Sequence, residues 1–119
     1  MPNPIVHFEV LGPDKQVLED FYTAVFDWQL HPSQDNYSMV SPGSGINGGI
    51  GAELDGGRGH ATFYVEVGNI AETLSIVEGR GGRRLMGPEQ IPNGPLIALF
   101  ADPDGHVIGL VQAGTMRNG

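Results

Sequence analysis

The chain has 119 residues, no cysteine and a formal net charge of −8. This length predicts one domain that can bury a core, and the lack of cysteine excludes disulfides and thiolate metal sites. The negative charge argues against a nucleic-acid partner, and no apolar run approaches the roughly 18 residues of a membrane span. Because the start, MPNPIVHFEV, has no signal-peptide pattern, we expect a cytoplasmic protein without membrane partners.

The first half of the chain predicts a strand, a helix and three more strands. In the first strand, Ile5, His7 and Glu9 share one face. After a GPD break at 12–14, apolar residues recur with helical spacing and predict the buried face of a helix; they are Val17, Leu18, Phe21, Tyr22 and Val25. The strands are predicted at 4–10, 27–31, 37–41 and 48–54.

The second half repeats this order after a glycine-rich linker at 55–59. Asn69 and Glu72 form a predicted capping box ahead of a helix that buries Ile70, Leu74 and Val77. Strands are predicted at 60–67, 81–87, 95–101 and 106–112. We therefore predict a single domain over 1–119, with module one at 4–54 and module two at 60–113.

A short internal repeat supports the two modules. VHFEV at 6–10 and FYVEV at 63–67 superpose with an offset of 57 residues. The offset pairs His7 with Tyr64 and Glu9 with Glu66, and the same order of elements follows each copy. The chain thus predicts an α+β fold in which a βαβββ unit occurs twice.

Several segments together resemble the vicinal oxygen chelate superfamily, which includes glyoxalase I, bleomycin-resistance proteins and extradiol dioxygenases. They are HFEV, EDFYTAVFDWQL, GGIGAEL, FYVEVGNIAETL, GGRRL and FADPDGHVIGLVQ. The combination of FYTAVFDW with the later DPDGHVIGLVQ is similar to small bacterial glyoxalase-like proteins. The resemblance implies two βαβββ modules whose curled mixed sheets surround a cavity, with the helices outside.

In metal-dependent members of this superfamily, the ligands come from the first and last strand of each module. The resemblance places these four slots on His7, Gly51, Tyr64 and Gly109. Only His7 suits a metal at neutral pH, because an unperturbed tyrosine ionises near pH 10 and glycine has no side chain. We therefore expect no tightly bound metal or other cofactor, although shifting the alignment would add Glu53 beside His7 as a weak candidate ligand for a divalent metal.

The candidate catalytic residues are His7, Glu9 and Glu66. Carboxylates that converge on a cavity have shifted pKa values and can perform acid–base chemistry. The alternative is that Glu9 and Glu66 pair with the arginines at 83–84 or lie at a solvated rim. The predicted ligand cavity is lined by His7, Glu9, Gly51, Tyr64, Glu66 and Gly109.

The remaining histidines and arginines are expected at the surface. His31, His60 and His106 lie at strand ends or turns. The arginines within 80–84 could clamp a carboxylate, but a solvated edge is the expected role. Gly109 is predicted to leave room for a ligand, since alternation directs its neighbours towards the helix-side core.

Two classes of function stay open, and the residues do not decide whether the chain is an enzyme. In the first, the chain binds a small organic molecule without a tightly bound metal, and sequestration of a cationic drug would suit its charge. In the second, it is a metal-dependent lyase, isomerase or dioxygenase of the glyoxalase type. In either case we expect a homodimer, because the sheets leave strand edges exposed.

Overall fold

Each half of the chain forms a strand, a helix and three more strands, which confirms the α+β class and the two βαβββ modules. The computed structural model describes residues 2–34, 36–53 and 57–115. Leu54, and Asp55 and Gly56 of the predicted linker, lie outside these ranges. The contacts between residues divide the chain into two compact units. One unit is Val6–Thr62, and the other combines the residues up to Ile5 with those from Phe63 onwards.

The elements follow the predicted order with shifts at their ends. The first module contains β1 (Ile5–Gly12), α1 (Lys15–Phe26), β2 (Gln29–Gln34), β3 (Tyr37–Ser41) and β4 (Gly48–Ala52). The second contains β5 (His60–Val67), α2 (Ile70–Gly79), β6 (Arg83–Gln90), β7 (Leu96–Ala101) and β8 (Val107–Gln112). Neither helix in the described ranges has the length and apolar character needed to cross a bilayer.

The strand pairing is the same in both modules, so each forms a mixed arrangement. In the first module β1 pairs with β4 in parallel, and β3 pairs antiparallel with both β2 and β4. In the second, β5 pairs with β8 in parallel, and β7 pairs antiparallel with both β6 and β8. The first and last strands of each module are therefore neighbours, which brings distant parts of the chain together.

The burial of α1 differs from the prediction. Three residues of its apolar face, Val17, Phe21 and Val25, are exposed. Glu19, on the opposite side of the helix, is buried, and its carboxylate accepts a hydrogen bond of 2.6 Å from the Ser38 hydroxyl on β3. The sheet side of α1 thus carries a charged group that the apolar pattern did not identify.

The second module buries two of the three α2 residues that the sequence predicts in its core, Ile70 and Leu74, whereas Val77 is half-buried. Asn69 caps α2, and its side-chain oxygen accepts a hydrogen bond from the backbone N–H of Glu72. The buried core cluster is Val67, Ile70, Leu74, Ala98 and Leu110. The predicted burial of Ile70 and Leu74 is therefore confirmed, and these residues join α2 to β5, β7 and β8.

Candidate functional site

Alternation along β1 divides the first module's sheet into two faces. Phe8 belongs to the face that carries α1, because its ring packs at a centroid distance of 5.2 Å on Trp28, which in turn stacks on Tyr22 of α1. His7 and Glu9 belong to the opposite face. We call it the histidine face and define it by His7, Glu9, Tyr37, Gly49 and Gly51, which strand pairing brings together.

The histidine face carries a hydrogen bond between His7 and Tyr37. The Nε2 atom of His7 lies 2.8 Å from the hydroxyl oxygen of Tyr37. Their ring planes differ by 22°, so the two rings are nearly parallel. An imidazole and a phenol from two different strands thus form one polar unit.

Glycine in β4 makes room for the Tyr37 ring. A Cβ on Gly49 would overlap the Tyr37 phenol, and one on Gly51 would come within 2.7 Å of its ring. Real side chains do not approach so closely, so the ring needs both positions bare. The glycines of β4 therefore support an aromatic ring, and this ring occupies the position over Gly51, a residue predicted to line the ligand cavity.

A second polar pair joins Glu9 to His60. The Nε2 atom of His60 is 3.2 Å from the Oε2 atom of Glu9, and the glutamate is only 8% exposed. This histidine, which begins β5, is a partner of Glu9 that the sequence analysis did not propose. A buried carboxylate is favourable only where it has such a partner, so His60 has a defined role here and does not serve simply as a surface residue.

Burial keeps the imidazole of His7 neutral. It lowers the pKa of His7 from 6.5 to about 4, because removal from water disfavours the charged form. At neutral pH the imidazole of His7 is therefore uncharged. The histidine face then offers neutral hydrogen-bonding groups beside the carboxylate and imidazole of Glu9 and His60.

In the second module, Tyr64 and Gly109 are direct partners across the parallel pair of β5 and β8. A Cβ on Gly109 would lie 2.5 Å from two carbons of the Tyr64 ring. The space over Gly109 is therefore occupied by that ring, which corrects the prediction that this glycine leaves room for a ligand. The predicted direction of Leu110 is confirmed, since it lies in the helix-side core.

The predicted metal slots do not fit a metal ion. Gly51 pairs with Leu11, whereas Gly109 pairs with Tyr64, the repeat partner of His7, so the two glycines are not equivalent. The described residues contain no group of three or more His, Asp or Glu side chains that could hold a metal. A stable zinc site needs at least three protein ligands, and these slots supply one.

Backbone contacts place the remaining predicted residues, Glu66 and Glu53. Glu66 pairs with Val111, and its backbone N–H donates to the carbonyl of Pro4. Glu53 follows β4, and its backbone N–H donates to the carbonyl of Gly12. The structure thus brings His7 and Glu9 onto one face and joins Tyr64 to Gly109.

Sequence reasoning missed two residues of this site, Tyr37 and His60. Tyr37 begins β3, and alternation alone does not show that it meets His7. His60 was assigned a surface role because it follows a glycine-rich stretch. For Tyr37 the usable signal is the pair of glycines at 49 and 51, since positions without a side chain on one strand face can accommodate a large neighbour.

Comparisons with known proteins agree with this fold. The model of the Glyoxalase/Bleomycin resistance protein/Dioxygenase superfamily matches residues 4–110. None of the curated proteins compared with the chain matches it.

Three solved structures share this fold. Their sequence identity to the chain is low, so the likeness is informative about the fold alone. Methylmalonyl-CoA epimerase from Mycobacterium tuberculosis is 16% identical, with a TM-score of 0.68 over 91% of this chain and 86% of that chain. A superfamily member from Vibrio splendidus 12B01 is 16% identical, with a TM-score of 0.64 over 93% of this chain and 99% of that chain. A Legionella pneumophila protein described as an NAD-dependent benzaldehyde dehydrogenase is 19% identical, with a TM-score of 0.67 over 93% of this chain and 98% of that chain. With the family model covering nearly the whole chain and two βαβββ modules in place, the chain belongs to the Glyoxalase/Bleomycin resistance protein/Dioxygenase superfamily.

Proposed function

We propose that the chain binds a small organic molecule at the histidine face of its first module, without a tightly bound metal. The observation that carries this proposal is the grouping of two polar pairs, His7 with Tyr37 and Glu9 with His60, in one unit of the chain. Ligand sites use a small number of placed polar groups to fix the orientation of the ligand, and these two pairs supply such groups.

The charge of this face favours a cationic or neutral ligand. His7 is neutral at pH 7, and Glu9 contributes a carboxylate. The net charge of −8 adds long-range attraction for cations. Sequestration of a cationic drug or metabolite is the form of this function that the electrostatics support.

An enzyme of the glyoxalase type is the second candidate. The pair of Glu9 and His60 favours it, because a carboxylate that orients an imidazole is a common acid–base arrangement. The structural likeness to methylmalonyl-CoA epimerase makes acyl-CoA thioesters a reasonable substrate class to test. Metal dependence has less support, since the superfamily's metal slots carry one suitable ligand.

Protein-observed NMR with small amines, carboxylates and acyl-CoA thioesters tests the proposal. We expect amines to shift the resonances of His7, Glu9, Tyr37 and His60, and Glu9→Gln to weaken that binding by about tenfold. Glu72→Gln, which removes a charge at an exposed site on α2, is the matched control. Shifts confined to the second module, or amine binding that Glu9→Gln does not change, would contradict the proposal.

Metal analysis separates the two candidates. Protein loaded with zinc, nickel, manganese or iron and then washed with chelator should retain no stoichiometric metal if the first candidate is right. Metal retained after the wash, with turnover of a thioester that protein not loaded with metal lacks, would favour a metal-dependent enzyme.

A further inference from the structure

The hydrogen bond between Glu9 and His60 determines where the proton of the imidazole lies. The Nε2 atom of His60 is 3.2 Å from the Oε2 atom of Glu9. An ionised carboxylate accepts hydrogen bonds and donates none, so Nε2 carries the proton that this contact requires. In a neutral imidazole the other nitrogen then has a lone pair. The Nδ1 atom of His60 is therefore a hydrogen-bond acceptor.

The contacts of the His60 ring leave this acceptor available to a ligand. Within the described ranges, Glu9 is the one hydrogen-bond partner of the ring. The side chain of His60 is 25% exposed, whereas that of Glu9 is 10% exposed. A ligand that approaches the pair therefore reaches the imidazole more readily than the carboxylate.

The backbone before His60 holds the imidazole close to Glu9. Gly59 has a φ of +83°, and a Cβ built on it would overlap the carbonyl oxygen of Leu11 in β1. Only glycine allows the chain to pass β1 so closely in this conformation, and Leu11 lies on β1 near Glu9. The imidazole is thus placed by a backbone contact and by a hydrogen bond, and such preorganisation reduces the entropy cost of binding.

Glu9 and His60 respond to different properties of a ligand. The carboxylate of Glu9 attracts any cation, because attraction between charges requires no donor. The Nδ1 atom of His60 attracts only a ligand with an N–H or O–H donor. A cation that has an N–H group satisfies both requirements. Its hydrogen bond to Nδ1 would extend the one from Nε2 to the carboxylate, and hydrogen bonds in such a chain polarise one another.

We infer, on the basis of the proposed function, that His60 makes the histidine face selective for cations that carry an N–H donor. Primary, secondary and tertiary ammonium groups have such a donor, and quaternary ammonium groups have none. An ammonium N–H donates to Nδ1, whereas a quaternary group leaves this acceptor to water. Hydrogen bonds with one charged partner are stronger than neutral ones, so the preference is about tenfold. His60 is therefore a specificity-determining residue of the site.

Three benzylamine derivatives test this selectivity in the full chain. Benzylamine, N,N-dimethylbenzylamine and benzyltrimethylammonium are all cations at about pH 7.5, where an ordinary imidazole is mostly neutral. The dimethyl and trimethyl compounds are the matched pair, because one methyl group of the second replaces the single N–H of the first. Isothermal titration calorimetry gives the dissociation constant of each compound.

His60→Gln separates contact with the ligand from support of Glu9. The glutamine amide is able to donate to the Glu9 carboxylate, as Nε2 of the imidazole does, but it has no acceptor in the place of Nδ1. His106→Gln, at an exposed position just before β8, is the matched control.

We expect the wild type and His106→Gln to bind the dimethyl compound about tenfold more tightly than the trimethyl compound. His60→Gln should lose this preference through weaker binding of the dimethyl compound alone, since the trimethyl compound makes no use of Nδ1. Nitrogen NMR of the wild type without ligand should show the imidazole proton on Nε2 of His60. The Nδ1 resonance should then move when the dimethyl compound is added.

The inference and the proposed function fail in different ways. Equal binding of the dimethyl and trimethyl compounds by the wild type, with both weakened by Glu9→Gln, would overturn the inference and leave the proposed function in place. The inference is also wrong if the preference survives in His60→Gln, if that variant weakens both compounds equally, or if NMR finds the proton on Nδ1. If the wild type binds none of the three compounds, both the proposed binding of cations and this inference are wrong.

Discussion

The ring of Tyr64 lies over Gly109 on the neighbouring strand, where a Cβ would be 2.5 Å from the ring carbons. In the first module the ring of Tyr37, which comes from β3, covers Gly49 and Gly51 of β4. In both modules, therefore, glycine in the last strand makes room for a tyrosine ring. This packing explains why glycine recurs in strands where it otherwise weakens pairing.

Replacement of Gly109 by alanine should destabilise the protein. We expect Gly109→Ala to lower the free energy of unfolding by about 1–3 kcal/mol, because the methyl group must displace the Tyr64 ring. Urea denaturation measures the change. Gly79→Ala, at the end of α2 with open space around its Cα, should leave stability unchanged or raise it by up to about 1 kcal/mol.

A double-variant cycle identifies the cause. In a Tyr64→Ala background the same Gly109→Ala change should cost much less, because the ring is gone. An equal cost in both backgrounds would show that the backbone of β8, and no contact with Tyr64, requires the glycine.

Acid should destabilise the protein through His7. Its pKa is about 4 in the folded state and 6.5 when unperturbed, so between these values the unfolded chain binds more protons. The free energy of unfolding should therefore rise with pH from about 4 to 6.5, by up to about 3 kcal/mol, and then level off. Denaturation curves of wild type and His7→Gln across this window measure the difference in slope.

His31→Gln is the control for this prediction, because His31 is exposed in β2. It should keep the wild-type dependence on pH. A His7→Gln protein with an unchanged slope would place the acid sensitivity in another group, and an NMR titration of His7 would then give a pKa near its ordinary value.

Loss of the hydroxyl of Ser38 should expose the cost of burying Glu19. Burial alone would raise the pKa of Glu19, but hydrogen bonds from Lys15 and Ser38 lower it below its usual value. Ser38→Ala removes one of these donors, and we expect it to lower the free energy of unfolding by about 1–3 kcal/mol at pH 7. A carboxylate whose pKa is lowered by folding stabilises the fold at pH values above its pKa in the unfolded chain. The loss of stability caused by Ser38→Ala should therefore shrink as pH falls below about 4.5.

Ser75→Ala, at an exposed position of α2, is the matched substitution for Ser38→Ala. In thermal unfolding, the free energy of unfolding of Ser75→Ala should lie within about 0.5 kcal/mol of the wild-type value. If Ser38→Ala were equally neutral, the hydrogen bond to Glu19 would contribute nothing to stability.

Metal affinity should be low. With His7 as the one suitable ligand among the superfamily's slots, zinc or nickel should dissociate on dialysis, as measured by elemental analysis. Stoichiometric metal that survives a chelator wash would contradict this. A further loss of that metal in Glu53→Gln would then identify the glutamate suggested by the shifted alignment.

The sequence by itself determined the order of the elements and much of their extent. Period-two alternation identified β3 and β5 with the bounds that the structure has, and the Asn69 cap marked the start of α2. These features depend on neighbouring residues in the chain, whose side chains either alternate or follow a helical turn. The repeat of the βαβββ order then followed from the order of the elements alone.

The tertiary structure alone decided which residues meet. Alternation places His7 and Glu9 on one face, but only the tertiary structure brings Tyr37 to the first and His60 to the second. Likewise, the apolar pattern of α1 marks a face, but packing on β3 buries Glu19 instead. Local periodicity shows which side chains share a side; only the register between distant strands and the packing of a helix on its sheet determine what covers that side.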